Sequence, residues 1–158
     1  MMAAYSEWLA ALEHSGIGHL ARHSAWVYTG ANLLHVLGAA LLVGAITTFD
    51  AALVLRRDDS AAIVGRTAIP IAAFGVALQI PTGVVLLAPA ARARGVNPAF
   101  FFKMTFVAVG LLNVAIFHAR FGRSLRSGVL NPGARALAGL SLIAWILVLL
   151  AGRMIAYL

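Results

Sequence analysis

The chain contains no cysteine, and only five of its 158 residues are Asp or Glu. The first absence excludes a disulfide, a thiolate metal site and the covalent attachment of c-type haem. The second, within a charged share of only 11%, excludes an ordinary soluble domain, whose surface needs far more charge than this. A secretory leader is not expected either. Glu7 and Glu13 stand where its basic region would be, and no apolar run precedes them. What the chain has in quantity is apolar surface: 62% of its residues are hydrophobic, and the mean hydropathy is +0.94. Such a composition predicts an integral membrane protein whose main partner is the lipid bilayer. The net charge of +7 does not point to nucleic acid. The arginines cluster between apolar runs, where they orient a membrane protein.

Four apolar runs are legible, roughly Trp26 to Leu55, Thr67 to Leu87, Ala99 to Ala119 and Arg135 to Tyr157. At about 1.5 Å per residue each can cross about 30 Å of hydrocarbon. The breaks RRDDS, APAARARGVNP and GRSLRSGVLNPG carry turn chemistry. Asn97-Pro98 and Asn131-Pro132 read as helix starts, with Asn capping and Pro in the first helical position. Before the first run, SEWLAALEHS predicts a short helix capped by Ser6, with Trp8, Leu9 and Leu12 on one face, broken at Ser15-Gly16-Ile17-Gly18. It is too short to span and is expected at the membrane interface. The predicted fold is thus all-α: an interfacial segment over residues 1–25 and a transmembrane four-helix bundle over residues 26–158.

Arg56, Arg57, Arg66, Arg120, Arg123, Arg126 and Arg135 fall at one end of such a bundle, and Arg92 and Arg94 at the other. The arginine-rich end is expected in the cytoplasm of a bacterium, which places both termini on the periplasmic side of the inner membrane.

Ionisable residues inside spans are costly and by default mark a function or a buried partner. Here they are His35 and Asp50 in the first span, Lys103 and His118 in the third, and Arg153 in the fourth, with uncharged Gln79 and Asn113 near mid-depth. Both His35 to Asp50 and Lys103 to His118 are fifteen positions apart, which is ~22 Å of rise and only about 60° of rotation. If the first and third spans lie side by side, polar groups meet at two levels. At one, Asp50 meets His118, either as a structural pair or as a proton relay or second metal site. At the other, His35 meets Lys103 and Arg153. Gly38-Ala39-Ala40 and Gly44 follow His35, and residues so small admit either a flat ligand or close helix packing. Two cations beside an imidazole suit b-type haem: His35 would bind the iron, and Lys103 and Arg153 would meet the propionates. Met104 and Met154 are candidates for a second axial ligand, or else are ordinary core filler. His19 and His23 are one helical turn apart, a metal-ligand spacing, but no acidic or thiol co-ligand accompanies them or His14.

The stretches WVYTGANLLHVLGAALLVGAITTFD, NPAFFFKMTFVAVGLLNVAIFH and GRMIAYL resemble an uncharacterised family of small bacterial four-helix membrane proteins. More distantly, a first-span histidine, a lysine opening the third span and a histidine closing it resemble the four-helix membrane protoporphyrinogen oxidases and the copper-resistance membrane domains. That likeness implies haem b, with functional residues at His35 and Lys103. TTFDAALVLRR departs from the oxidase pattern at the end of the first span, so the likeness extends to haem binding more than to oxidase turnover. The function expected is electron transfer or redox chemistry with a quinone, porphyrin or redox-protein partner. The rival readings are a proton, ion or small-solute transport component, for which a pore would require a homo-oligomer, and an accessory subunit of a larger membrane complex.

Overall fold

The computed structural model describes residues 2–55, 60–126 and 132–155. Helix α1 runs Met2–His14 and α2 runs Gly16–His23; the four long helices are α3 (Ala25–Leu55), α4 (Ser60–Leu87), α6 (Pro98–Arg126) and α7 (Pro132–Met154). A 3₁₀ turn at Ala88–Ala90 and the short α5 (Ala91–Gly95) join α4 to α6. All four long helices are long and apolar enough to cross a membrane. This is the all-α bundle of a multi-pass membrane protein. Arg56, Arg57, Asn131, Tyr157 and the side chains of Arg123 and Arg126 lie outside the described residues.

Asn97 caps α6 as its sequence predicts, its Oδ1 accepting the Ala99 amide hydrogen at 2.8 Å, with Pro98 next in line. Ser6 does not cap a helix. The alanines before it are good helix formers, so α1 begins at Met2 and leaves Ser6 inside, where its hydroxyl donates to the Ala3 carbonyl. Ser15 caps α2 instead, accepting from the Gly18 amide at 3.2 Å.

The tightest seam is α3 against α4, and it is built on two glycines. A Cβ added at Gly75 would come within 2.7 Å of both the Gly38 carbonyl oxygen and the Leu42 amide nitrogen. The backbones therefore touch, as small residues allow between membrane helices. α7 packs against α3 and against α6, whereas α4 and α6 meet only sparsely, and among the described residues α3 and α6 meet through side chains without a close backbone approach. This corrects the side-by-side placing of the first and third spans: they stand diagonally across the bundle. Two apolar clusters fill it. Leu42, Ile46, Ala72, Trp145 and Val148 form one, and Phe49, Leu53, Ala61, Ala68, Phe117, Ala134 and Ala138 the other. Phe49 and Phe117 meet edge to face with centroids 5.7 Å apart.

α1 and α2 dock on the α4–α6 connection, capping one end of the bundle. Leu9 is 1% exposed and sits on Gly95, where a Cβ would come 2.6 Å from its Cδ1. Tyr5 donates to the Gly95 carbonyl at 3.0 Å, and Arg22 donates to the carbonyls of Pro89 and Glu13. Glu13 accepts from the Arg92 amide at 2.9 Å and pairs with its guanidinium at 3.3 Å. The backbone hydrogen bond from Arg92 holds the Glu13 carboxyl below its ordinary value of 4.5.

Gly75→Ala should therefore force α3 and α4 apart and cost about 1–3 kcal/mol by overpacking. Thermal unfolding in detergent should show the lower Tm. Gly44→Ala, where a Cβ meets nothing within 4 Å, should leave Tm unchanged. Because the Glu13 pKa is depressed, its contribution to docking of the cap is present above about pH 4.5 and disappears as pH falls through the lower folded value. Amide exchange in α1 should accelerate over that acidic range in the native chain, and Glu13→Gln should flatten the response.

Candidate functional site

The cap end of the bundle holds the first polar level. His35 projects from α3 toward α4, and its Nδ1 lies 2.8 Å from the Thr82 Oγ1. The Thr82 hydroxyl oxygen also faces the carbonyls of Leu78 and Gln79 on its own helix. A hydroxyl that donates to one of them accepts from the ring, an arrangement that puts the proton on Nδ1 and leaves Nε2 its lone pair. Gln79 donates to the His35 backbone carbonyl at 2.7 Å, fastening the same turn of α3. The glycine seam places all three residues: Gly38 meets Gly75, Leu78 and Gln79, and Gly83 lies against the imidazole edge.

Lys103, near the start of α6, lies close enough for its charge to act on His35, and its Nζ packs against Gly152 of α7. Arg153 follows directly in the chain. His35, Lys103 and the Arg153 turn thus belong to one level, as their depths predict. Met104 and Met154 do not join them. They are 46% and 44% exposed and lie on the sides of α6 and α7 turned away from the buried faces at Gly110, Asn113, Ser141 and Trp145. Neither is placed to be a second axial ligand. Nor does Gly38 admit a flat ligand, because α4 already occupies that face.

At the opposite end, a cavity of about 120 Å³ lies among all four long helices. Asp50, Asn113, His118, Ser141 and Trp145 contribute its polar lining. Asp50 does not pair with His118. Ser141 of α7 stands beside the Asp50 carboxyl, and the exposed His118 makes its Nδ1 bond to the Val114 carbonyl of its own helix. Asp50, Asn113 and Trp145 are 4%, 4% and 2% exposed, yet Asp50 Oδ2, Asn113 Oδ1 and Trp145 Nε1 have no hydrogen-bond partner. Asn113 Nδ2 donates to the Leu137 carbonyl at 3.1 Å. Gly110 makes room for the Trp145 indole, whose ring would stand 3.1 Å from a Cβ there.

Thr82, Ser141 and Trp145 are neighbours of the polar groups that hydropathy reading passes over, since each fits an apolar run. The only sequence signal was their depth, level with His35 or Asp50. His19 and His23 stack at 4.1 Å on the exposed cap, and among the described residues no three His, Asp or Glu side chains gather as a metal site. Comparison with protein-family models, curated proteins and solved structures gives no match.

Thr82→Val should leave the His35 Nδ1–H unsatisfied at a buried seam and cost about 1–3 kcal/mol, lowering Tm in detergent. Thr82→Ser, which keeps the accepting oxygen, should restore most of it.

Proposed function

We propose that this chain is an integral protein of the bacterial inner membrane that binds b-type haem at the capped end of its bundle and takes part in redox chemistry. The observation that carries this reading is the Thr82 hydroxyl oxygen 2.8 Å from the His35 Nδ1. A metal-binding imidazole characteristically donates its other N–H to a fixed acceptor, which sets the ring and raises its basicity. Thr82 is placed to accept that hydrogen here, and Nε2 has no hydrogen-bond partner among the described residues. The donor set fits the group in two respects: an imidazole nitrogen for iron, and the Lys103 ammonium, with Arg153 one residue past its packing partner Gly152, for carboxylates. The two methionines do not fit, so a second axial ligand is not assigned within this chain.

Haem, when bound, supplies reversible one-electron chemistry. The chain's own residues hold the imidazole in one tautomer, keep a cation beside it, and cover that end with α1, α2 and α5. The redox partner would be a quinone, a porphyrin or a redox protein. The excess of arginine at the opposite end supports cytoplasmic placement of that end and periplasmic termini. A second reading, a proton- or solute-conducting component, is favoured by one observation: Asp50, one of the residues around the inner cavity, has a buried carboxylate oxygen without a partner.

The purified protein, expressed with haem supplied, should give a reduced-minus-oxidised spectrum with Soret and α bands, and His35→Ala should abolish both. A featureless spectrum from the folded native chain overturns the haem reading. Flux into proteoliposomes that stops in Asp50→Asn, with no haem bands, would establish the second reading in its place.

A further inference from the structure

The outer side of the cap carries a pair of imidazoles that neither the bundle's packing nor the His35 level uses. Helix α2, which holds them, is fixed from its start and from beneath. Ser15 caps it, and Gly18 and Ala21 are its buried residues. A Cβ at Gly18 would stand 2.5 Å from the Glu13 carbonyl oxygen, so the helix lies hard against the end of α1. Arg22 reaches inward to the carbonyls of Pro89 and Glu13. At about 100° per residue, His19 and His23 then share the outward face, where both are exposed.

Their rings stack with centroids 4.1 Å apart. His23 Nδ1 donates to the His19 backbone carbonyl at 2.9 Å. A carbonyl oxygen can only accept, so the neutral His23 ring has its proton on Nδ1 and its lone pair on Nε2. Metal-binding imidazoles are characteristically set in this way, one nitrogen donating to a fixed acceptor and the other left basic. His14 and His118 bond the carbonyls of Ala10 and Val114 similarly, but among the described residues neither stacks on a second imidazole. Two histidines four positions apart on one helix face have the spacing that chelates a single ion. Cationic Arg22 is turned inward, and the Glu13 carboxylate is taken up by Arg92. The pair therefore offers nitrogen alone. Imidazole suits copper, nickel and zinc, whereas calcium and magnesium need oxygen ligands. Among divalent first-row metals, affinity for such a site peaks at Cu²⁺.

We propose that His19 and His23 form a two-imidazole site for a divalent transition metal on the surface of the cap, tightest for Cu²⁺, with its remaining positions left to water. The site shares no residue with the haem reading and stands or falls without it.

The test uses the full chain in detergent, free of any histidine tag, in a non-coordinating buffer with copper(II) and zinc chloride as probes. Calorimetric titration should find one tightest Cu²⁺ per chain, held more strongly than Zn²⁺. Its electron paramagnetic resonance spectrum should show splitting from two nitrogens. His19→Gln and His23→Gln should each weaken Cu²⁺ by at least about tenfold, since losing a ligand costs no less than losing its outer-shell partner. Each should also remove one nitrogen from the splitting. Both positions are exposed, so the variants keep the fold, and an unchanged Tm verifies this. His14→Gln should bind as the native chain does. Affinity and spectrum unchanged in the variant carrying both substitutions would place the ion on the N-terminal amine or another histidine, and the proposal falls. A loss in His14→Gln equal to that in His23→Gln would mean loose coordination by any surface imidazole, and it falls as well. Zn²⁺ held more tightly than Cu²⁺ would also overturn it.

Discussion

Two helices whose glycines meet backbone to backbone cannot rotate about their axes without losing the contact, and α3 and α4 are locked in this way at Gly38 and Gly75. That lock fixes which residues of α3 face inward. With Gly38 buried against α4, His35 lies about one turn away on the same side and must find its partner on α4, where Thr82 and Gln79 stand. Twelve residues beyond Gly38, Asp50 falls toward α7, where Ser141 meets it. The costly groups of the first span are thus absorbed by the helices on either side of it, and nothing ionisable on α3 is left to the lipid.

Neighbours are unevenly distributed around the bundle, and this explains why the two ends differ. α3 is flanked by α4 and α7, so its buried face is broad. α6 leans chiefly on α7, so its buried face is narrow, and its seam with α4 is thin. The cap of α1, α2 and α5 covers the His35 end. At the Asp50 end the thin seam leaves a cavity that reaches the bundle's surface. One end is therefore closed and tightly hydrogen-bonded, and the other holds a mainly apolar cavity with a few polar side chains in its walls.

The helices themselves were legible because hydrocarbon forces every backbone group into internal pairing, which turns a run of about twenty apolar residues into a span. The Asn97-Pro98 start was legible for a similarly local reason. Depth was legible too: the shared fifteen-residue spacing puts His35 with Lys103, and Asp50 with His118, at matching heights. Azimuth was not. The same drift of about 60° keeps Asp50 inside the broad face of α3 but carries His118 to the edge of α6, so the expected pair does not form. Ser141 and Trp145 take the places next to Asp50, and no periodicity distinguishes them from ordinary members of an apolar helix. Ser6 misled for a local reason, since a capping residue caps only if the helix does not already begin before it.

The central claim is that α4 holds the His35 ring by its Nδ1 hydrogen and leaves Nε2 available. Solid-state NMR of the protein in bilayers, with ¹⁵N-labelled histidine and ¹³C-labelled threonine, measures it directly through the separation of His35 Nδ1 and Thr82 Cβ. A hydrogen bond of 2.8 Å predicts a separation below about 4.5 Å with the proton on Nδ1. A separation beyond about 6 Å, or a proton residing on Nε2, would contradict the account.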